Sequence, residues 1–264
     1  MNNSEFCNFL SERGQLLYRT MPWRQDTRPY YVLVSELMLQ QTQVSRVIPK
    51  FEAFISAFPS EKALATASLA DVLKQWQGLG YNRRAKFLHE AAKKIVALGS
   101  FPDNETDLVS LPGVGKNTAG AILAYSFNTP VLFVETNIRT VYIHHFFTDD
   151  VDVDDSAIID KLAETIDTEH PREFYWSLMD YGSWLKTNGI KNIDQSKTYK
   201  RQAPLKGSIR EVRGMIIREL SNEDMSYKML RERISTDDRF EKSLSSLISE
   251  KLVSVTDKII HLTK

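Results

Sequence analysis

The sequence predicts an almost wholly helical protein, and three observations carry that reading. Apolar residues recur at helical spacing along most of the 264 residues. Gly, Pro and Asn stand at the joints between those stretches, where they end or start helices. Only the tail LVSVTDKIIHLTK holds β-prone runs, two short ones around Thr256-Asp257-Lys258, which read as a hairpin.

The elements follow in order. Residues 4–19 suit a helix with Phe6, Phe9, Leu10, Leu16 and Leu17 on its apolar side. Pro22 and Pro29 bracket an irregular connection. Helices are expected over Tyr31–Gln41 and Val44–Phe58, and Pro59-Ser60 caps the next. Ser68 or Asp71 opens a helix ending at Gly78, and Gly80 starts one that runs through Leu98 to a stop at Gly99. Pro112 to Phe127 reads as a tight Gly-Val-Gly hairpin and its following helix. Asn137–Phe147, Ser156–Ile166 and Pro171–Lys186 complete this part. After Pro204, GSIREVRGMIIREL, MSYKMLRERI and DRFEKSLSSLISEKL read as three helices, and the tail adds the hairpin. The expected division is a large helical domain over 1–204 and a small winged-helix-like domain over 205–264. Some 60 residues make a small core, so the second domain is expected to dock on the first.

Composition narrows the class. At 42% hydrophobic and 26% charged, the chain has an ordinary globular balance. No apolar run reaches the ~20 residues that cross a bilayer, and MNNSEFCNFL lacks the basic region and apolar core of a secretory leader. A cytoplasmic, nucleoid-associated protein that touches no membrane and acts as a monomer is expected. Cys7 is the single cysteine, so no intramolecular disulfide and no four-thiolate iron–sulfur centre can form. Net charge is zero, yet between Lys186 and Arg213 eight basic residues face only Asp194 and Glu211. That stretch reads equally as a track for a phosphate backbone and as a solvated linker. The acidic run Asp149–Asp155 lacks the glycine and final glutamate of a calcium loop and reads as a loop and N-cap.

LPGVGKNTAGAILAYSF, 111–127, is the most informative stretch. Glycines at 113 and 115 permit positive φ and close backbone approach. The first amides of the following helix lack intrahelical partners and face outward with the dipole behind them, a setting that binds phosphate. An ordinary helix–turn–helix connection would use the same glycines. Val134-Glu135-Thr136-Asn137-Ile138-Arg139 follows about twenty residues later.

With those motifs the chain resembles the helix-hairpin-helix DNA glycosylases. The stretches MPWRQDTRPYYVLVSELMLQQTQVSRVIPKFEAF (21–54) and WQGLGYNRRAKFLHEAA (76–92) look like the adenine-specific mismatch branch, the MutY family. The similarity runs from about residue 5 to about 185. It implies a two-lobed helical fold and a monofunctional glycosylase of base excision repair. Such an enzyme flips a mispaired adenine, opposite 8-oxoguanine or guanine, out of double-stranded DNA and hydrolyses its N-glycosidic bond. The chain departs from the family in three ways. The usual cluster cysteines are absent and LKTNGIKNIDQSKTYKRQAPLKGSIREVR stands in that region; the segment after 204 is shorter than the family's oxidised-guanine-reading domain; and Glu135 replaces an aspartate. No cofactor is expected, although the hairpin could hold a monovalent cation, and no metal-ligand cluster is seen.

Base removal needs a proton for the leaving base and negative charge near an oxocarbenium-like sugar, a division of labour between two carboxyl groups. The resemblance places the general acid at Glu36, in an otherwise apolar helix where an ion pair with an arginine is the plain alternative. It places the second carboxylate at Glu135, where a side chain complementing the helix dipole is the alternative and both can hold. Asn137 matches an asparagine that helps hold that carboxylate and the sugar. Asn117 stands where bifunctional relatives keep a Schiff-base lysine, and an amide cannot attack C1′. Gln41 and Tyr81 match the residues that fill the vacated stack, although a Tyr after a Gly-rich turn often only packs. Trp23 and Arg24, with Asn117, match the base pocket, while Gly113, Gly115, Lys116 and Thr118 would grip phosphate. The competing readings are a uracil or thymine mismatch glycosylase on the same scaffold and a non-catalytic DNA-binding module.

Overall fold

A computed structural model describes residues 1–200, 202–234 and 237–264. The described residues are mostly helical, with one small sheet among them at the C-terminal end. The helices are α1 (Asn3–Leu17), α2 (Pro22–Gln25), α3 (Pro29–Leu39), α4 (Val44–Ala57), α5 (Glu61–Thr66), α6 (Leu69–Gln75) and α7 (Arg83–Leu98). Then come α8 (Glu105–Val109), α9 (Lys116–Phe127), α10 (Thr136–Phe146), α11 (Asp155–Ala163) and α12 (Pro171–Thr187). A 3-10 turn over Asn192–Gln195 precedes α13 (Ile209–Asn222), β1 (Met225–Ser226), α14 (Tyr227–Ile234), α15 (Arg239–Ser249), β2 (Val253–Thr256) and β3 (Ile259–Leu262).

Local chemistry sets many of these boundaries. Asn2 and Glu5 form a reciprocal capping box at α1. Ser60, Ser68, Asn104 and Asp154 each accept an amide of the helix they precede. Gly99 stops α7 in the left-handed conformation, with φ 81°. Several boundaries differ from expectation. The helix expected to reach Gln41 stops at Leu39, because Gln41 turns left-handed. The helix expected from Gly80 begins at Arg83, after Gly78, Gly80 and Tyr81 all take positive φ. A short helix, α2, occupies the expected irregular connection, and Pro22 at its first position suits that start.

Two compact units divide the chain. Unit 1 comprises Met1–Val32, Asp103–Ser110 and Val114–Arg201; unit 2 comprises Leu33–Pro102, Leu111–Gly113 and Gln202–Lys264. The core of unit 1 forms where α12 packs on α1 and α10, with Phe6, Leu10, Val141, Tyr142, Tyr175 and Leu178 buried. The helices touch closely: a Cβ on Gly14 would meet the Ser177 side chain, and one on Gly182 would stand 2.5 Å from the Asn137 carbonyl.

In unit 2, Phe54, Trp76, Leu88 and Ile95 fill one part of the core, and Phe54 meets Trp76 edge-on at 6.0 Å. From α13 onward the order is helix, strand, helix, helix, hairpin. The sheet order is β1-β3-β2, antiparallel, with Met225 opposite Ile260 and Val253 opposite Leu262. Phe240, Leu230, Ile216 and Leu247 form the core beneath it. This segment shares its unit with Leu33–Pro102 instead of standing alone: α13 packs on α6, and the Lys86 ammonium donates to the Glu250 carbonyl at 2.7 Å. Its own buried set is small, which is the physical reason for that attachment.

Candidate active-site residues

In unit 1 the best-defined group is Glu135. It is the N-cap of α10, and its carboxylate accepts the amides of Asn137 at 2.6 Å and Ile138 at 3.2 Å. Burial pushes this carboxyl up from the usual range, against the opposing pull of Lys186, the two amides and Arg139. The residue as a whole is half-buried, so the carboxyl end carries the desolvation. Lys186 on α12 is exposed as a residue, yet desolvation at its ammonium end lowers it and the Glu135 charge raises it again. Arg139, one turn into α10, is held by Asp155 through bonds of 2.6 and 2.7 Å.

Asn137 serves Glu135 through its backbone amide. Its side-chain Nδ2 faces the Met179 sulfur at 3.8 Å, and its Oδ1 is buried with no partner. Asn117, in the first turn of α9, donates from Nδ2 to the Val134 carbonyl at 2.6 Å. It thereby ties the helix start to the residue before Glu135. Lys116 and Gly115 are exposed, and Thr118 is half-buried. Gly115 caps α9 with φ −93° and open space around it. Gly113, in unit 2, has φ 79°, and a Cβ there would stand 2.8 Å from that of Phe87. Of the two hairpin glycines, then, the fold requires only Gly113 to be glycine.

Trp23 and Arg24 are both buried. The Arg24 guanidinium grips Asp180 of α12 through two bonds, 2.6 and 3.0 Å, and lies over the rings of Tyr18 and Trp176. Arg19 adds two more bonds to Asp180, from its Nε at 2.6 Å and its backbone amide at 3.2 Å. Arg24 is therefore a clamp on α12 next to Met179, the residue that faces Asn137. Unit 1 thus joins Asn117, at the start of α9, to the residue before Glu135, which opens α10 with Asn137, while Arg24 is bonded to Asp180 of α12.

Unit 2 holds the other residues. Glu36 is half-buried on α3 among the buried Leu33, Ser35 and Leu37. Gln41 and Tyr81 are exposed and both take left-handed backbone, φ 60° and 47°. The Tyr81 hydroxyl accepts from Arg210 and Gln202, and the guanidinium groups of Arg210 and Arg84 lie 5.0 and 5.5 Å from its ring. Sequence reasoning missed Arg84 and Asp180, and read Lys186 and Arg210 only as members of the basic stretch. For Asp180, an acid on the apolar face of α12 was an available signal.

Three members of the basic stretch are occupied within the protein. Lys197 pairs with Asp154, Arg213 with Glu250 at 2.6 Å, and Arg210 with Tyr81 and the Ala203 carbonyl. Arg201, also counted there, lies outside the described residues. One cysteine cannot ligate a four-thiolate cluster, so the residues present do not fit the group that the family commonly carries. Among the described residues no group of three or more His, Cys, Asp or Glu could hold a metal ion. Hydrogen bonds order the segment instead. Asn192 donates to the Thr140 carbonyl, Gln195 to those of Thr148 and Asp150, and Val153 pairs with Ser196 as a parallel bridge. Among the described residues no helix is long and apolar enough to cross a membrane.

The family model of the HhH-GPD superfamily base excision DNA repair protein matches residues 34–166, about half of the chain. The adenine DNA glycosylase of Buchnera aphidicola subsp. Baizongia pistaciae is 37% identical over 183 residues, 66% of this chain and 51% of that protein. The adenine DNA glycosylase of Mycobacterium tuberculosis is 45% identical over 130 residues, 48% of this chain and 43% of that protein. The chain thus spans about half the length of these curated relatives. Among solved structures, a thermostable thymine-DNA glycosylase aligns with TM-score 0.61 at 22% identity, covering 72% of this chain and 93% of that one. A trapped endonuclease III–DNA covalent intermediate aligns with TM-score 0.59 at 16% identity, covering 70% and 87%.

Proposed function

Since the chain belongs to the HhH-GPD superfamily of base excision DNA repair proteins, we propose that it is a monofunctional adenine DNA glycosylase acting on mispaired adenine in double-stranded DNA. The observation that carries this reading is the Glu135 cap. A carboxylate fixed by two amides at a helix start is preorganised negative charge, which an oxocarbenium-like sugar requires. Lys186, Arg139 and the amides favour its ionised form against burial.

Glu36 supplies the proton to the leaving base, and the hydrolysis ends with water at C1′. Gln41 and Tyr81 fill the space left by the extruded nucleotide. The hairpin residues Gly113, Gly115, Lys116 and Thr118 grip phosphate, and Trp23 lines the base pocket. Arg24 and Asn117 act as supports, because their side chains bond to Asp180 and to the Val134 carbonyl. An amide at 117 offers no amine to attack the sugar, which supports base release without strand cleavage. The segment 205–264 acts as a winged-helix-like part of the body.

A single-turnover release assay tests this, using duplexes with adenine opposite 8-oxoguanine, adenine opposite guanine, and uracil or thymine opposite guanine. The expected result is fast release of adenine and none of the pyrimidines. Release of a pyrimidine alone, or tight binding with no abasic product from any duplex, would refute it.

A further inference from the structure

Gln41 and Tyr81 share an uncommon backbone. A left-handed φ is unfavourable for an L-residue, and for an aromatic side chain it is a true outlier. Such a conformation persists only where the surroundings hold it. One side chain holds both.

The Arg84 guanidinium is buried, with the residue 7% exposed. Its Nη1 donates to the carbonyls of Leu37 at 2.5 Å, Met38 at 3.0 Å and Gln40 at 2.6 Å. Its Nη2 donates to those of Leu79 at 3.1 Å and Gly80 at 3.2 Å. The Gln40 carbonyl belongs to the peptide that enters Gln41, and the Gly80 carbonyl to the peptide that enters Tyr81. Both strained residues are thus anchored at their leading peptide by one planar group.

The last turn of α3 explains why an arginine is needed. A helix leaves its last four carbonyls without intrahelical donors. Gln40 serves the Glu36 carbonyl and Thr42 serves that of Leu39. Leu37 and Met38 would remain unserved once the chain turns left-handed, and Arg84 takes both. Buried carbonyls left without donors are destabilising. Burial lowers the guanidinium only to about 10, so it stays charged at neutral pH.

We infer that Arg84 is a positioning residue that sets Gln41 and Tyr81 at one fixed spacing, so that they enter the base stack as a single rigid part. This rests on the reading of those two residues as the ones that fill the vacated stack. Preorganisation removes the ordering cost that two independent loops would incur on binding. Lysine cannot substitute, since one ammonium with three donors does not reproduce a fork that reaches carbonyls on two loops.

The test places 2-aminopurine beside the target adenine of an adenine–8-oxoguanine duplex, where its fluorescence rises on unstacking. Arg84→Lys keeps the charge. We expect its fluorescence rise to fall about tenfold with duplex Kd changed less than about threefold, since misplacement by about 1 Å already costs that much or more. An unchanged rise, or a rise and affinity lost together as in a merely weakened fold, overturns the inference. If Arg84→Lys does not fold, Gln41→Ala, Tyr81→Ala and the double variant decide. A double loss no larger than the greater single loss supports one rigid part; multiplied losses overturn it. Absence of any rise with the unaltered protein would overturn the stack-filling role itself, and the inference with it.

Discussion

The Glu135 cap and the Gln41–Tyr81 platform solve opposite problems. At Glu135 an ordinary helix start does the work: an extended N-cap residue, φ −121°, with two free amides under its carboxylate. The unusual quantity there is electrostatic, a carboxyl pushed up by burial. At Gln41 and Tyr81 the backbone is strained, held by a guanidinium that no helix rule would place. Charge is preorganised by secondary structure in one region, and shape by a single side chain in the other. The first should therefore fail through chemistry and the second through opening of the duplex.

The largest effect that separates the two regions is expected from Glu36→Gln. Loss of the proposed proton donor should lower single-turnover adenine release by about 10²–10⁴-fold, with duplex affinity and the 2-aminopurine rise retained. A variant that releases adenine at the wild-type rate would remove Glu36 from the chemistry.

Next comes Glu135→Gln, which keeps an oxygen for the two amides and removes the charge. Release should drop about 10²–10³-fold. Stability should move the other way. A carboxyl raised in the folded state takes a proton more readily folded than unfolded, so ionisation above that range works against folding. At neutral pH the glutamine variant should melt higher than wild type. The gap should close as pH falls through the folded value towards the unfolded one, about 4.3. Melting curves from pH 7 to pH 4 check this, and a gap that widens on acidification would contradict the assigned burial.

Gly182→Ala probes the support beneath Asn137. A methyl 2.5 Å from a carbonyl oxygen must push α12 and α10 apart, at about 1–3 kcal/mol. Lower Tm and slower release together are expected, and wild-type values for both would show that the helices yield freely.

The smallest effect sharpens the other side of the comparison. Gln41→Gly removes the left-handed penalty at an exposed position, partly offset by added chain entropy, so stability should rise by up to about 1 kcal/mol. The same substitution should weaken duplex opening. Denaturant melts and the fluorescence assay read the two separately, and a destabilised glycine variant would mean that the side chain matters more than the backbone.

Much of this was legible in the sequence because it is local. Periodicity marked the main helices, Gly99 its stop, and the acidic residues before Ser156 a cap, realised by Asp154. The cap at Glu135 was legible as a charge at a helix start. What escaped is long-range or too short to have a period. Gln is a good helix former, so propensity carried α3 to Gln41; the turn there depends on Arg84, more than forty residues away. β1 has two residues, Met225 and Ser226, and shows no alternation. Asn137 was identified through its side chain, whereas its amide makes the bond, and residue type says nothing about that. The attachment of the C-terminal segment to Leu33–Pro102 rests on contacts such as Lys86 with Glu250, which leave no mark on either stretch alone.

The most direct test of the account is one gel. An end-labelled duplex with adenine opposite 8-oxoguanine is incubated with excess protein, then split between hot alkali, no treatment and borohydride. The account predicts a strand cut only after alkali, and no trapped protein–DNA adduct. Cleavage without alkali, an adduct in high yield, or an intact strand in every lane would contradict it.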